Sequence, residues 1–315
     1  MKPHNAPLLV LVGPTGIGKT AVAVRLAARL PIEAVNADSR QVYRGMDVGT
    51  GKPTAEEQAA LHHHLIDILD PDETYHVARF RAEALLAVDG IRARGRLPVV
   101  VGGTGLYVRA LLKGLHDAPP ASPALRRELE ALARAEGPGA LHARLREVDP
   151  AAAERLHPND RVRLIRAIEV ARARTDAARP TAVWSAAVPP FHVVMIGLTQ
   201  SREALNARLA ARVHAMVAGG MMEEVKRLRE AGYATTAPAM AGIGYRQLSA
   251  VLDGGLTLAE ALRLMIRDTT RYAKRQMTWF ARDPEIRWLD VDAAGGVEGA
   301  ADAVLKLVTE EGLIA

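Results

Sequence analysis

The chain contains no cysteine in its 315 residues. That excludes a disulfide framework, a thiolate nucleophile and any cysteine-ligated metal, and it suits a cytoplasmic location. Long apolar runs are missing too. None approaches the ~20 residues that cross a bilayer, and Met1 to Pro7 does not read as a secretion signal, so no membrane partner is expected. No internal repeat is visible. Strong charge imbalance is absent: 41 Lys and Arg against 36 Asp and Glu leave a net charge of +5, which permits a polyanionic partner and demands none. Apolar residues make up 49% of the chain, as in a soluble globular protein, and the length suits about two domains.

What is present organises the chain from its start. The apolar run Leu8 to Val12 leads into Gly13-Pro14-Thr15-Gly16-Ile17-Gly18-Lys19-Thr20, and Ala21 to Leu30 reads as a helix. Strand, G-x-x-x-x-G-K-T and helix in that order are a P-loop. Its backbone N–H groups turn inward around phosphate oxygens at the positive end of the helix. Lys19 then reaches the terminal phosphate and the Thr20 hydroxyl holds Mg²⁺. A glycine-rich turn that binds nothing is the bland alternative, and the full match in context weighs against it. Such a loop takes a di- or triphosphate.

Further apolar runs, Pro31 to Asn36, Leu65 to Leu69, Arg96 to Val101 and Phe191 to Leu198, read as strands alternating with helices. The economical fold is an α/β, P-loop NTPase-like parallel sheet flanked by helices. Asp38 lies just past a strand end, where such sheets bind ligands. An Asx turn or helix cap explains an Asp there equally well. A second glycine loop, Gly102 to Gly105, suggests close backbone approach to a substrate. Thr54 to Glu57 and Thr257 to Glu260 read as capping boxes. His62, His63 and His64 are consecutive and so poorly spaced for a metal; they read as loop or packing residues.

Composition shifts between Ala118 and Pro190, where no strand pattern occurs and every basic residue is arginine, twelve against nine acids. This reads as an all-helical insertion domain, 118–190, in a core made of 1–117 and 191–315. The Arg161, Arg163, Arg166 group either grips phosphates or forms a solvated face. Near the end, Arg263, Arg267, Arg271 and Arg275 recur every four residues on one helix, with Lys274 and Arg282 and a single acid, Asp268. Surface charge that serves solubility alternates in sign, so this stripe favours a nucleic-acid backbone. Arg208 and Arg212 share a face of an earlier helix.

Taken together, these stretches resemble the tRNA dimethylallyltransferase (isopentenyltransferase) family. The resemblance is carried by 13–20, Asp38-Ser39-Arg40-Gln41-Val42-Tyr43, Gly45 to Pro53, Gly102 to Tyr107, His157-Pro158-Asn159-Asp160, Gly242 to Gln247 and Lys274 to Trp279, in family order. Two departures are visible. Gly16-Ile17 stands where the family commonly has Ala-Ser, and Arg174 to Ala182 lacks the family's Ser-Gly-Lys-type turn. The resemblance implies transfer of a dimethylallyl group from dimethylallyl diphosphate to N6 of adenosine 37, beside the tRNA anticodon, with Mg²⁺ as cofactor. It implies Asp38 as the base, with Thr15, Thr104 and Arg212 in the catalytic group and Gly13 to Thr20 holding the diphosphate. The implied contacts to the anticodon stem-loop are Asp38, Ser39, Arg40, Gln41, Thr104, Arg126, Val162, Arg163, Leu164, Ile165, Arg166, Ala241, Gly242, Ile243, Gly244, Tyr245, Arg246, Lys274, Arg275, Gln276, Met277, Thr278, Trp279, Phe280 and Ala281. A monomer is expected. The rivals are a P-loop small-molecule kinase, which leaves the basic helix without work, and a nucleic-acid-dependent ATPase, for which no apolar strand ends in adjacent acids. An isopentenyltransferase acting on free AMP would not need the basic helix.

Overall fold

Branched apolar runs build the centre of a parallel sheet. In the computed structural model, which describes residues 6–115, 122–137, 139–173 and 191–314, six strands are present. They are β1 (Ala6–Val12), β2 (Ile32–Asn36), β3 (His63–His64), β4 (Leu97–Val101), β5 (Phe191–Thr199) and β6 (Arg287–Asp290). Their order is β3-β2-β4-β1-β5-β6, every pairing is parallel, and Leu9 stands opposite both Val99 and Val194. β2 and β4 are buried at every position, as strands covered on both faces must be.

The pleat sends Leu8, Val10 and Val12 to one core and Leu9 and Leu11 to the other. The chain is covered by α1 (Lys19–Ala27), α2 (Ala55–Ala60), α3 (Val77–Ala93) and α4 (Gly105–Lys113), and later by α9 (Arg202–Met216), α10 (Met222–Glu230), α11 (Tyr245–Leu252), α12 (Leu258–Phe280) and α13 (Gly296–Glu310). Between these sets lie α5 (Pro123–Glu136), α6 (Gly139–Val148), α7 (Pro150–Arg155) and α8 (Arg161–Ala173). α1 and α13 pack on the Leu9 face, while α3, α4, α11 and α12 contribute mainly to the Leu8 face. Both expected capping boxes are present, Thr54 with Glu57 and Thr257 with Glu260.

The chain divides into two compact units, Met1–Gly114 with Ala187–Ala315, and Leu115–Ala186. The second contains α5 to α8 around its own core of Leu129, Leu141, Leu145, Leu164 and Ile168. Ser122 caps α5 ahead of Pro123, and Asp149 caps α7 ahead of Pro150. The Arg174 to Ala182 segment and the sequence-based boundaries at 117–118 and 190 lie outside the described residues. Among the described residues, no helix is long and apolar enough to cross a membrane.

One expected strand is not there. Leu65 to Leu69 is a short apolar run like that of a strand, but Leu65 and Asp67 adopt positive φ and the pairing with β2 stops at His64. The N–H groups of Asp67, Ile68 and Leu69 instead donate to Gln41 and Val42, and Asp67 binds the buried Lys52 ammonium at 2.5 Å. The segment serves the loop after β2 and leaves the sheet early.

Candidate active site

The P-loop folds as its sequence requires. Gly18 takes φ 100° at the N-cap of α1, a left-handed conformation that suits glycine. The Lys19 ammonium folds back and donates to the carbonyls of Gly13 at 3.0 Å and Pro14 at 2.8 Å. Burial pulls its pKa down to about 8, opposed by the Asp38 carboxylate and reinforced by Arg212. The Gly16-Ile17 departure has a packing reason. Ile17 is fully buried in the α1 core, and a side chain at Gly16 would run into Leu209 of α9.

The loop after β2 is braced on both sides. Asn36 Oδ1 accepts the Asp38 N–H at 3.1 Å, and its Nδ2 donates to the Leu65 carbonyl at 3.0 Å. Asp38 Oδ1 accepts the Arg40 N–H at 2.7 Å, which is an Asx turn. The turn uses one of the four or so lone-pair sites of a carboxylate, and Asp38 also lines two cavities. The Thr104 hydroxyl accepts the Ser39 N–H at 3.2 Å. Thr104 therefore supports the Asp38 loop and lines neither cavity.

The smaller cavity, about 370 Å³, contains Thr15, Gly16, Gly18, Lys19, Thr20, Arg208 and Arg212. The larger, about 500 Å³, has an apolar wall of Leu209, Val213, Met216, Met221 and Met265 and a basic rim of Arg40, Arg246, Arg271 and Arg275. The two share Thr15, Asp38, Thr50 and Arg212. Burial pushes the Arg212 pKa below that of a free guanidinium, with Asp38 opposing and Arg208 adding to the effect. An anion in the smaller cavity is thus met by two arginines, a lysine and loop amides, with one carboxylate at the passage to the larger cavity.

Glu224, which lies in no motif, and Gln276, within the Lys274 to Trp279 stretch, hold this arrangement. Glu224, 1% exposed on α10, accepts the backbone N–H groups of Asp47 at 2.7 Å, Val48 at 2.8 Å and Gly49 at 3.0 Å, and the Tyr245 hydroxyl at 2.6 Å. It pins the Gly45 to Pro53 loop, whose Gly51 leaves room for the Arg212 side chain. Gln276, 5% exposed on α12, accepts the Thr15 N–H at 2.9 Å and donates to the Gly103 carbonyl at 2.8 Å. The Gly102 to Gly105 loop is small because its own chain presses on it. Gly102 packs on Ala37 backbone, Gly103 on Gln276 and Gly105 on Trp279. Gly102 also lines the smaller cavity. In sequence Glu224 is an ordinary first-turn acid, and only its burial against three aligned N–H groups reveals its role.

The residues expected at an RNA surface separate by exposure. Ser39 and Gln41 are partly exposed beside Asp38. Val162, Arg163, Ala241, Arg246, Lys274, Arg275, Thr278 and Ala281 are exposed, and Ile243, Met277 and Trp279 are half-buried. Leu164, Ile165, Gly244 and Phe280 are buried in their elements' packing, while Gly242 and Tyr245 line the larger cavity and Gln276 the smaller one from largely buried positions. Arg126 is committed to Glu169, with bonds of 2.8 and 3.0 Å, and Arg166 shares that acid at 3.2 Å.

For a divalent cation, Thr20 in the first turn of α1 and Asp38 face the smaller cavity together. One hydroxyl and one carboxylate suit Mg²⁺, which takes its remaining ligands from phosphate oxygens and water. Glu33, His62 and His64 also bring ligand atoms within 4.8 Å of one another. There the Glu33 carboxylate is bound by Arg94 at 2.6 and 3.0 Å and by His64 at 2.7 Å, and the Arg94 contact leads in lowering its pKa to about 2. A cation would have to displace a guanidinium. His62 is exposed, and His63 and His64 form the edge strand β3, in keeping with a packing role.

Comparison with known proteins bears on this site. A model described as IPP transferase matches residues 41–283, and one described as Isopentenyl transferase matches residues 6–69. The chain belongs to the IPP transferase family. Relatives in this family include the tRNA dimethylallyltransferase of Thermomicrobium roseum, 48% identical over 97% of this chain and 92% of that one. The tRNA dimethylallyltransferase 1 of Syntrophotalea carbinolica is 50% identical over 91% and 93%. The tRNA isopentenylpyrophosphate transferase of Bacillus halodurans superposes with TM-score 0.71, at 40% identity over 98% of both chains. A eukaryotic dimethylallyltransferase crystallised while acting on tRNA gives 0.78, at 26% identity over 97% and 79%.

Proposed function

We propose that the chain transfers the dimethylallyl group of dimethylallyl diphosphate to N6 of adenosine 37 in tRNA. The observation that carries this reading is Asp38 at the junction of a phosphate cavity and a larger, partly apolar cavity with a basic rim. The exocyclic amine of adenine is a poor nucleophile, because its lone pair is delocalised into the ring. Attack on the allylic carbon needs the N6 proton removed and the leaving diphosphate stabilised. In this reading the N6–carbon bond forms, the carbon–oxygen bond to the diphosphate breaks, and the proton goes to Asp38. The P-loop N–H groups, Lys19 and Arg212 meet the charge that develops on the leaving group. Mg²⁺, held through the Thr20 hydroxyl, would offset further diphosphate charge when bound.

The five-carbon chain fits against Leu209, Val213 and Met216, which excludes water from the allylic centre. The adenosine enters from the larger cavity after leaving its stack. The anticodon arm then lies on the exposed arginines of α12, and the helical unit supplies further contacts through Val162 and Arg163. A cytoplasmic monomer suits this work. Incubation with tRNA, dimethylallyl diphosphate and Mg²⁺, followed by mass spectrometry of the nucleosides, should find a five-carbon adduct on one adenosine. Transfer of a γ-phosphate from ATP to a small acceptor, with no adduct, would sink the reading.

A further inference from the structure

One acid interrupts the cationic face of α12. From Arg263 to Arg282, six basic residues accompany Asp268 alone. A carboxylate on a surface that meets a polyanion opposes its binding, so this one needs another reason to be there. Its contacts supply one. The Asp268 side chain is 12% exposed. Its Oδ2 accepts Arg246 Nη2 at 2.5 Å and Gln247 Nε2 at 3.0 Å, and its Oδ1 accepts Arg267 Nε at 2.9 Å. Two of these three donors come from the first turn of α11 and the third from α12 itself. Gln247, 4% exposed, is also held at its other end, where Oε1 accepts the Gly244 N–H at 2.7 Å. Gly244 takes φ 92°, and with Gly242 it leaves the loop before α11 little stiffness of its own. Gly242, Ile243, Arg246 and Asp268 all line the larger cavity.

We infer that Asp268 is a positioning residue, which ties the Ala241 to Gln247 loop to α12 and so fixes one wall of the larger cavity, with Arg246 on its rim. A carboxylate can hold three donors at once because it has about four lone-pair sites. Without it, Gln247 loses a partner inside the packing and the Arg246 guanidinium swings free. The same carboxylate lowers by one the charge that this face offers to RNA phosphates. Affinity for RNA and correct seating of the adenosine are thus opposed at a single side chain. This role rests on the proposed function, in which the adenosine enters through the larger cavity.

Asp268→Ala in the full chain tests it, with an anticodon stem-loop RNA, dimethylallyl diphosphate and Mg²⁺. RNA binding should tighten about 2–5-fold at low salt. The slope of log affinity against log salt should steepen by about 0.7–0.9, as one more guanidinium reaches a phosphate. The single-turnover transfer rate at saturating RNA should instead fall at least about fivefold, because the cavity wall is no longer held. If the alanine variant does not fold, Asp268→Asn keeps the volume and one acceptor. Its slope should steepen equally and its rate fall at least about twofold. An acid that only props the fold would weaken binding and rate together, and one that only repels RNA would leave the rate unchanged. Either result, or an unaltered slope, overturns the inference. A wild type that forms no adduct rejects the transferase reading together with this role. An adduct from the wild type with any of those variant results rejects the role of Asp268 alone.

Discussion

Two arginine-rich regions look alike in sequence and differ in the folded chain. In the helical unit, Arg126 and Arg166 converge on Glu169, whose side chain is 1% exposed, and Arg163 pairs with Asp160 at 3.4 Å. On α12, Arg271, Lys274 and Arg275 are exposed and have no carboxylate partner among the described residues. Arg275 rests over the Tyr272 ring, 5.7 Å from its centroid. Arg267 falls between the two cases, since it shares Asp268 with Arg246. A count of arginines measures neither group's free charge. A guanidinium that already neutralises a buried acid stabilises its own fold and has less left for a phosphate.

Removing the chemistry alone gives the baseline for this contrast. Asp38→Asn should lower transfer about 10²–10⁴-fold, while tRNA affinity, measured by filter binding, stays within about twofold. Unchanged turnover would take Asp38 out of the reaction. The next largest effect should come from the free arginines. Arg271→Glu with Arg275→Glu should weaken tRNA binding about 10–100-fold and reduce the slope of log affinity against log salt by about 1–2, because fewer counterions are released. An unaltered slope would mean that this face does not meet RNA.

Titration separates the diphosphate site from both arginine regions. The unliganded Lys19 loses its proton above about pH 8, and a bound anion favours the charged form, so binding takes up a proton there. Diphosphate affinity should fall about tenfold per unit above pH 8, with no such fall in the arginine-borne part of tRNA binding. Arg126→Ala should have the smallest effect on RNA. It should cost about 1–3 kcal/mol in urea unfolding, because Glu169 loses a bidentate partner, and leave the salt slope unchanged. The comparison breaks if Arg126→Ala flattens that slope as much as the α12 reversals.

Much of the framework was legible because it rests on neighbours in sequence. The P-loop, both capping boxes and the one-faced spacing on α12 involve residues within a few positions of each other, where backbone geometry dictates the outcome. Leu65 to Leu69 misled because an apolar run describes which side chains are apolar and says nothing of where the N–H groups go. They go to Gln41 and Val42.

By itself, then, the sequence determined an α/β parallel sheet opened by a phosphate loop, a helical stretch within it and a cationic late helix. Tertiary structure alone decided that Glu224 holds the loop under Arg212, that Gln276 joins Thr15 to Gly103, and which arginines keep their charge for a partner. The reason is physical. Local propensity acts within a turn or two of chain, whereas Thr15 and Gln276 are 261 positions apart and meet only once the sheet and α12 have packed.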